Sequence, residues 1–173
     1  MISSTDFQKI TTLIFDIDGT LTDSRAFFLP DGRMVKSFDH HDMHWIKLAL
    51  RAGLKVGVLS GRDDPANENF VRELDLSFAL LGVKDKIAGF EEILQKNRLT
   101  ADECCYMGDD VVDLPVIRRA GIGAAVADAV EELNEAASIR TAAPGGKGAA
   151  CEIIRRILKE KGLFDHIMER YRR

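Results

Sequence analysis

The sequence contains few cysteines, and their spacing excludes two common structural devices. Of the three cysteines, Cys104 and Cys105 are adjacent in an apolar run and Cys151 is remote from both. This arrangement provides neither the disulfide framework of a small secreted domain nor a C-x-x-C motif. We expect the cysteines to be reduced and to pack as small apolar side chains.

Long apolar runs and an excess of basic residues are also missing. No apolar run approaches the ~18 residues of a membrane-spanning helix, and the first residues lack the basic and then apolar segments of a signal peptide. The 24 Lys and Arg against 28 Asp and Glu give a net charge of -4, which argues against a nucleic-acid-binding surface. We therefore expect a cytoplasmic protein with neither a membrane nor a nucleic acid as its partner.

The length and composition are those of one globular domain. The chain has 173 residues, of which 46% are hydrophobic and 30% are charged, so it can bury one substantial core. No linker, internal repeat or low-complexity segment divides it. We expect a single domain over residues 1–173 that ends in a C-terminal tail, residues 143–173. The basic side chains of that tail either solvate a helix face or contact a partner.

Short apolar runs alternate with segments of helical periodicity along most of the chain. The runs are apolar enough to be buried on both faces, as parallel strands are. The predicted strands are Thr11–Asp16, Leu54–Ser60, Ser77–Gly82, Glu103–Gly108, Ile122–Ala127 and Ser138–Ala142. The predicted helices are His41–Ala52, Pro65–Asp75, Lys84–Asn97, Leu114–Ala120, Ala129–Ala137 and Gly148–Lys161. This order predicts an α/β fold, a three-layer α/β/α sandwich around a parallel, Rossmann-like sheet.

One segment interrupts the alternation. Two strand-like runs, Ala26–Leu29 and Arg33–Phe38, flank the turn residues Pro30, Asp31 and Gly32. This pattern predicts a β-hairpin over residues 26–38. The next predicted helix follows so closely that no separate lid domain fits between them.

Polar residues follow four of the predicted strands. They are Asp16 and Asp18 after the first strand, Ser60, Gly61 and Arg62 after the second, Lys86 in the helix after the third, and Asp109, Asp110 and Asp113 after the fourth. Because ligands of open parallel sheets bind beyond the carboxyl ends of the strands, we expect these residues to form one site.

The residue types at this edge favour phosphate chemistry. Converging carboxylates repel one another unless a cation lies among them, and oxygen ligands without His or Cys favour Mg²⁺. The Ser60 hydroxyl, the Lys86 amine and backbone N–H groups can bind phosphate oxygens. Asp16 is the candidate nucleophile. Asp18 is the candidate acid that protonates the leaving alkoxide and then activates water. Gly19 permits the tight turn that aims Asp18 back at the same phosphorus.

Two other classes of protein remain as alternatives. A phospho-receiver module also combines acidic metal ligands, a hydroxyl and a lysine, but its phosphorylated Asp follows a middle strand, whereas the acidic pairs here follow the first and fourth strands. A catalytically inactive interaction subunit would not need the complete set of polar residues. Both alternatives predict no multiple-turnover release of phosphate from an aryl phosphate.

The polar motifs resemble those of the haloacid dehalogenase superfamily of Asp-nucleophile phosphatases. The segment DIDGTLT from Asp16 resembles its first motif, Ser60 the second, Lys86 the third, and GDDVVD from Gly108 the fourth. The resemblance implies that Asp16, the backbone carbonyl of Asp18 and Asp109 bind Mg²⁺. It further implies roles for five other residues: Ser60, Gly61 and Lys86 bind the phosphate, Asp110 orients the site, and Asp113 supports the loop.

Within that superfamily the chain is similar to the capless 3-deoxy-D-manno-octulosonate 8-phosphate phosphatases over most of its length. The similarity is carried by the hairpin, by LSGR from Leu59 and by APGGKGA from Ala143. It implies a homotetramer in which the hairpins assemble and the tail of one subunit reaches a neighbour's site. It also implies a sugar-acid phosphate substrate, whose carboxylate Arg62 and Lys147 would contact.

One segment departs from that family. Where its members usually carry Arg-Asp-Gly after the hairpin, this chain reads FDHHDMH from Phe38. A related branch that acts on nine-carbon keto-deoxy sugar acid 9-phosphates also lacks the arginine, so that substrate stays open. For His40, His41 and His44 we expect surface or substrate-facing roles, because no cysteine or fixed carboxylate accompanies them as in a transition-metal site.

Overall fold

A computed structural model describes residues 3–173 and contains one main sheet. Its six strands are all parallel and lie in the order β5-β4-β1-β6-β7-β8, and a separate antiparallel pair is formed by β2 and β3. The strands are β1 Thr12–Phe15, β2 Phe27–Phe28, β3 Met34–Val35, β4 Lys55–Leu59, β5 Phe78–Leu80, β6 Cys104–Gly108, β7 Ile122–Ala125 and β8 Ile139–Arg140. Each of the six predicted sheet strands is present, one to three residues shorter at its ends.

Within the described residues 3–173, eight α-helices connect or flank these strands. They are α1 Ser4–Lys9, α2 His40–Arg51, α3 Pro65–Leu74, α4 Lys86–Asn97, α5 Leu114–Arg119, α6 Glu131–Ala136, α7 Ala149–Glu160 and α8 Phe164–Met168. Helices α1 and α8 were not among the predicted ones. Both are short, and α1 buries only Phe7 while α8 buries none of its residues, so neither carries an apolar stripe long enough to be recognised.

Side-chain caps determine where the central helices begin. The Asp39 carboxylate accepts the backbone N–H groups of His41 and Asp42 at the start of α2. Asp64 caps α3 in the same way, with Pro65 in the first turn. Helix α4 begins at Lys86 rather than at the predicted Lys84, because Asp85 is its N-cap.

The core lies on both faces of the sheet. Along β1, Leu13 and Phe15 pack into one cluster with α2, α3 and α7, whereas Ile14 packs into a second cluster with α4, α5 and α6. The alternation of a strand sends successive side chains to opposite faces, so an all-apolar strand needs helices on both sides. This is the predicted three-layer α/β/α sandwich with a parallel sheet.

The predicted hairpin is present and projects from the sandwich. Phe27 pairs with Val35 and Phe28 with Met34 in antiparallel register. Phe27 is 61% and Phe28 is 72% exposed, while at the base of the hairpin Phe38 stacks on Phe70 of α3 with ring centroids 4.3 Å apart. Each of the two strands is two residues long, and in the part of the chain that the structure describes they form a sheet of their own.

The cysteines pack as expected. Cys104 and Cys105 are buried in β6 and unpaired, and burial raises the pKa of each thiol to about 12, which makes them unreactive.

Among residues 3–173, none of the helices is both long and apolar enough to span a bilayer.

Candidate active site

The sequence-predicted polar residues surround one cleft at the carboxyl ends of the strands. Strand β1 pairs with β4 on one side and with β6 on the other, so the loops after these three strands meet at the middle of the sheet. The cleft has a volume of about 580 Å³. Its lining includes eight of the predicted residues: Asp16, Asp18, Ser60, Gly61, Arg62, Lys86, Asp109 and Asp110.

A cluster of one lysine and three carboxylates, of which only Asp109 is not fully buried, forms the floor of this cleft. The Lys86 ammonium lies 2.7 Å from Asp16 Oδ1 and 2.5 Å from Asp113 Oδ1. Oxygens of Asp16, Asp109 and Asp113 lie within 4.8 Å of one another. One cation thus faces three carboxylates, so the floor is short of positive charge.

The pKa values of these groups reflect that imbalance. Burial raises the pKa of Asp16 to about 6, against the attraction of Lys86. Burial, together with Asp16 and Asp113, raises the pKa of Asp109 to about 8. For Lys86, burial opposes the charged form, but Asp16 and Asp113 outweigh it and raise the pKa of the ammonium. A divalent cation bound here would offset both the cost of burying these carboxylates and the repulsion between them.

Asp113 has no oxygen left for such a cation. Its Oδ1 accepts hydrogen bonds from Lys86 and, at 2.6 Å, from the Tyr106 hydroxyl. Its Oδ2 accepts the backbone N–H groups of Asp109 and Asp110 at 3.1 and 3.3 Å. The carboxylates with oxygen available to a metal are therefore Asp16 and Asp109, while Asp113 lies beneath and holds the loop after β6.

The loop after β1 is shaped by Gly19 and Thr20. Gly19 has φ +98°, and a Cβ on it would overlap the Asp109 carboxylate and the Ser24 hydroxyl, so only glycine fits between these loops. The Thr20 hydroxyl donates to Asp109 Oδ1 at 3.2 Å. These contacts place the Asp16 loop directly beside the Asp109 loop.

The loop after β4 brings Ser60 to the opposite wall. Ser60 is buried, and its Oγ accepts the Arg62 backbone N–H at 3.2 Å and the Asn67 amide at 3.4 Å. The Arg62 side chain is exposed and its Nε lies 3.6 Å from Asp18 Oδ2. The wall therefore carries a buried hydroxyl and an exposed guanidinium.

Lys147 lies outside the cleft lining, on a glycine-rich loop beside it. The Gly146 N–H donates to the Thr20 carbonyl at 3.0 Å, and a Cβ on Gly145 would overlap the Gly19 carbonyl. The Lys147 side chain itself is exposed. Asp42 holds the end of this loop by accepting the backbone N–H groups of Gly148 and Cys151 at 3.1 and 2.6 Å.

The C-terminal tail packs on α2 of the same chain. The Phe164 ring stacks on Trp45 with centroids 5.9 Å apart, and the Tyr171 hydroxyl lies 3.3 Å from His44 Nε2.

His40 and His41 are exposed at the start of α2. Among residues 3–173, the His, Cys, Asp and Glu side chains that lie close enough in groups of three to share a metal ion are Asp16, Asp109 and Asp113.

Sequence reasoning missed Lys36, which follows β3 in the hairpin. Its side chain is 1% exposed and its Nζ lies 2.7 Å from Asp18 Oδ1 and 2.7 Å from Asp64 Oδ2. A lysine in an exposed two-stranded hairpin ordinarily suggests a solubilising role. The available signal was the alternation that turns Val35 and Ser37 outward and Lys36 and Phe38 inward.

Comparison with known proteins places this site in a family. The haloacid dehalogenase-like hydrolase model matches residues 81–150. The 3-deoxy-D-manno-octulosonate 8-phosphate phosphatase of Haemophilus influenzae is 35% identical over 155 residues, which cover 90% of this chain and 86% of that protein. The chain belongs to the 3-deoxy-D-manno-octulosonate 8-phosphate phosphatase family. This membership confirms the resemblance drawn from the motifs and excludes the phospho-receiver alternative.

Solved structures of this phosphatase family share the whole fold. A probable phosphatase of the same family from Pseudomonas syringae is 35% identical, with a TM-score of 0.95 over 98% of this chain and 97% of that one. The Moraxella catarrhalis 3-deoxy-D-manno-octulosonate 8-phosphate phosphatase, solved in complex with a magnesium ion, a phosphate ion and a KDO molecule, is 26% identical, with a TM-score of 0.94 and 97% of each chain covered.

Proposed function

We propose that this chain is a Mg²⁺-dependent phosphomonoesterase that hydrolyses 3-deoxy-D-manno-octulosonate 8-phosphate through an aspartyl-phosphate. The observation that carries the proposal is the cluster of Asp16, Lys86 and Asp109 on the cleft floor, in a chain 35% identical to a phosphatase of that substrate. The reaction breaks the phosphorus–oxygen bond of the ester and transfers the phosphoryl group first to Asp16 and then to water.

Asp16 is the nucleophile in this scheme. Lys86 donates to Asp16 Oδ1, which fixes the carboxylate and leaves Oδ2 to attack phosphorus in line. The attacking carboxylate must be ionised, and Lys86 favours that form. Lys86 and the Ser60 hydroxyl, with the backbone at Gly61, bind the phosphate oxygens, while Asp113 holds Lys86 from below.

Mg²⁺ fits the donor set at the cleft floor. Asp16 and Asp109 offer carboxylate oxygens and the loop at Asp18 offers a backbone carbonyl, all of which are hard ligands. When bound, the ion supplies positive charge to the phosphate oxygens and removes the carboxylate repulsion. Asp110, whose carboxylate caps the Val111 N–H at 2.6 Å, orients the loop that carries Asp109.

Asp18 transfers a proton in each of the two steps of the reaction. As a carboxylic acid it protonates the leaving alkoxide as the ester bond breaks, and as a carboxylate it then removes a proton from the water that attacks the aspartyl-phosphate. Its carboxylate lines the same cleft as Asp16.

Arg62 and Lys147 bind the sugar-acid carboxylate, Arg62 from the wall of the cleft and Lys147 from the glycine-rich loop.

A panel of sugar phosphates tests the substrate. We expect the eight-carbon acid 8-phosphate to have a kcat/KM at least about tenfold above that of the nine-carbon 9-phosphate and of neutral sugar phosphates. The nine-carbon acid places its carboxylate one carbon further from the phosphate, and neutral sugars have no carboxylate for Arg62 and Lys147 to bind. The segment FDHHDMH from Phe38 stands where Arg-Asp-Gly is usual in the family, so preference for the nine-carbon acid would favour the related branch. If no member of the panel releases phosphate, the proposed phosphatase activity is contradicted. The remaining alternative is then a catalytically inactive interaction subunit.

We further propose that the single domain of residues 1–173 assembles as a homotetramer through its hairpins. The hairpin leaves Phe27, Phe28 and Val35 exposed, an apolar patch that closed symmetric assembly would cover. We expect Phe28→Asp to dissociate the assembly, because it places a charge in that contact. Turnover of the sugar substrate should then fall more than turnover of p-nitrophenyl phosphate, since only the larger substrate needs a neighbour's wall.

Light scattering at micromolar concentration measures this prediction directly. The matched control is Arg33→Ala, which alters the exposed turn pair with Asp31 without adding charge to the apolar patch. A wild-type monomer would contradict the assembly, whatever the variants do.

A further inference from the structure

We propose that Lys84 is a specificity-determining residue, which binds the carboxylate of the sugar-acid substrate from the cleft wall beside Arg62. The inference rests on the proposed function and deepens it, because it names a further cation that distinguishes a sugar-acid phosphate from a neutral sugar phosphate. None of the sequence motifs includes Lys84. Its place in the cleft is known only from the fold.

Lys84 reaches the cleft because helix α4 begins two residues later than its sequence pattern predicts. Asp85 is the N-cap of that helix, so Lys84 precedes the helix instead of solvating its outer face. On the other side of Lys84, the Val83 N–H donates to the Ser60 carbonyl at 3.0 Å. These two anchored neighbours hold the backbone of Lys84 beside the loop after β4, and its side chain belongs to the lining of the cleft.

The charge of Lys84 is available to an anion. Among residues 3–173, the cationic side chains in the cleft lining are Arg62, Lys84 and Lys86. Arg62 and Lys86 each face a carboxylate of the cleft, whereas Lys84 forms no ion pair with any described residue and donates to the Gly61 carbonyl at 2.5 Å. A neutral carbonyl does not cancel the charge of an ammonium. An incoming carboxylate can therefore take the place of the carbonyl without breaking an ion pair.

The exposure of these side chains places Lys84 at the sugar-acid end of the substrate. In the proposed scheme Ser60 and Lys86 bind the phosphate, and both are buried. Arg62 and Lys84 are exposed, so they lie at the mouth of the same cleft. A substrate whose phosphate lies on the buried floor must extend its sugar toward this mouth, and its far end then meets the two exposed cations.

A second groove begins at the same wall and limits where an anion can bind. It has a volume of about 340 Å³ and shares Gly61, Arg62 and Lys84 with the cleft. Beyond them its lining includes Asp63, an exposed carboxylate that repels a substrate anion. The sugar-acid carboxylate is therefore favoured on the cleft side of this wall, beside Arg62 and Lys84.

A pair of substrates that differ in one charge isolates the carboxylate contact. The eight-carbon acid 8-phosphate and its C1 amide have the same carbon chain and nearly the same size, but only the acid is negatively charged at C1. Because both substrates are assayed on the same protein sample, any loss of folded protein lowers both rates equally. The ratio of the two kcat/KM values therefore reports on recognition of the carboxylate alone.

We expect Lys84→Met to lower kcat/KM at least about tenfold for the acid but less than about threefold for the amide, because only the acid loses a charge-assisted hydrogen bond. Lys84→Arg restores a cation at the wall and should keep kcat/KM for the acid within about threefold of wild type.

The matched control is Lys96→Met, because Lys96 pairs with Glu92 on the exposed face of α4 at 2.5 Å and does not line the cleft. Its kcat/KM values should equal those of wild type for both substrates. Equal losses for acid and amide in Lys84→Met would overturn the inference, because the ammonium would then act on the phosphate or on the loop. Unchanged values for both substrates would overturn it as well, and either result leaves the phosphatase assignment intact. A wild-type protein that releases phosphate from neither substrate nor from p-nitrophenyl phosphate would instead overturn the proposed function.

Discussion

Asp16→Asn is expected to reduce phosphate release by at least about a thousandfold, because an amide cannot attack phosphorus to form the acyl phosphate. The fold should persist. Lys86 keeps its contact with Asp113 at 2.5 Å, so its charge stays paired. Since burial raises the pKa of Asp16 to about 6, its ionised form is destabilising above that pH, and the neutral amide should leave the melting temperature at pH 8 unchanged or higher.

Turnover with Mg²⁺ and thermal melting followed by circular dichroism measure the two parts of this prediction. Mass spectrometry of acid-quenched protein adds a direct readout, because wild type should carry one phosphoryl group and the variant none. The matched control is Asp102→Asn, an exposed carboxylate 3.9 Å from Lys9 that precedes β6 and so lies away from the carboxyl ends of the strands. Activity of Asp16→Asn within tenfold of wild type would remove Asp16 from the role of nucleophile.

The parts of the site that follow strands directly could be predicted from the sequence. Strand β1 is apolar on both faces, which marks it as a buried parallel strand, and Asp16 comes at its end. The same local reasoning locates Ser60 after β4 and Asp109 after β6. Because strand ends of a parallel sheet meet at one edge, local patterns alone bring these three residues together.

The contacts made across long stretches of chain could not be predicted in this way. Lys36 reaches Asp18 because the hairpin folds back over the cleft, and no periodicity encodes that return. Asp42 sits in a segment where this chain departs from its family, yet its carboxylate caps the start of α7 more than 100 residues further along the chain. Burial raises the pKa of Asp42, a cost that only the folded packing of α2 on α7 reveals.

Removal of divalent cations is expected to abolish turnover, with a loss of at least about 100-fold that Mg²⁺ restores, because Asp16 and Asp109 otherwise repel the phosphate. The test is phosphate release after exhaustive chelation and after addition of excess Mg²⁺. Asp109→Asn should respond weakly to Mg²⁺, since one of the two available carboxylates is lost. Full wild-type activity after chelation would contradict the metal requirement.

The pH dependence of Mg²⁺ binding follows from the same carboxylates. The pKa of Asp109 is raised to about 8 by burial and by Asp16 and Asp113, so below pH 8 the metal must displace a proton from it. Apparent Mg²⁺ affinity should therefore fall by up to about tenfold per pH unit between pH 8 and pH 6. A raised carboxyl pKa also means that the metal-free protein loses stability as pH rises from about 4 to 8. A fixed Mg²⁺ concentration should then raise the melting temperature more at pH 8 than at pH 6, and equal shifts at both pH values would show that Asp109 is not the proton competitor.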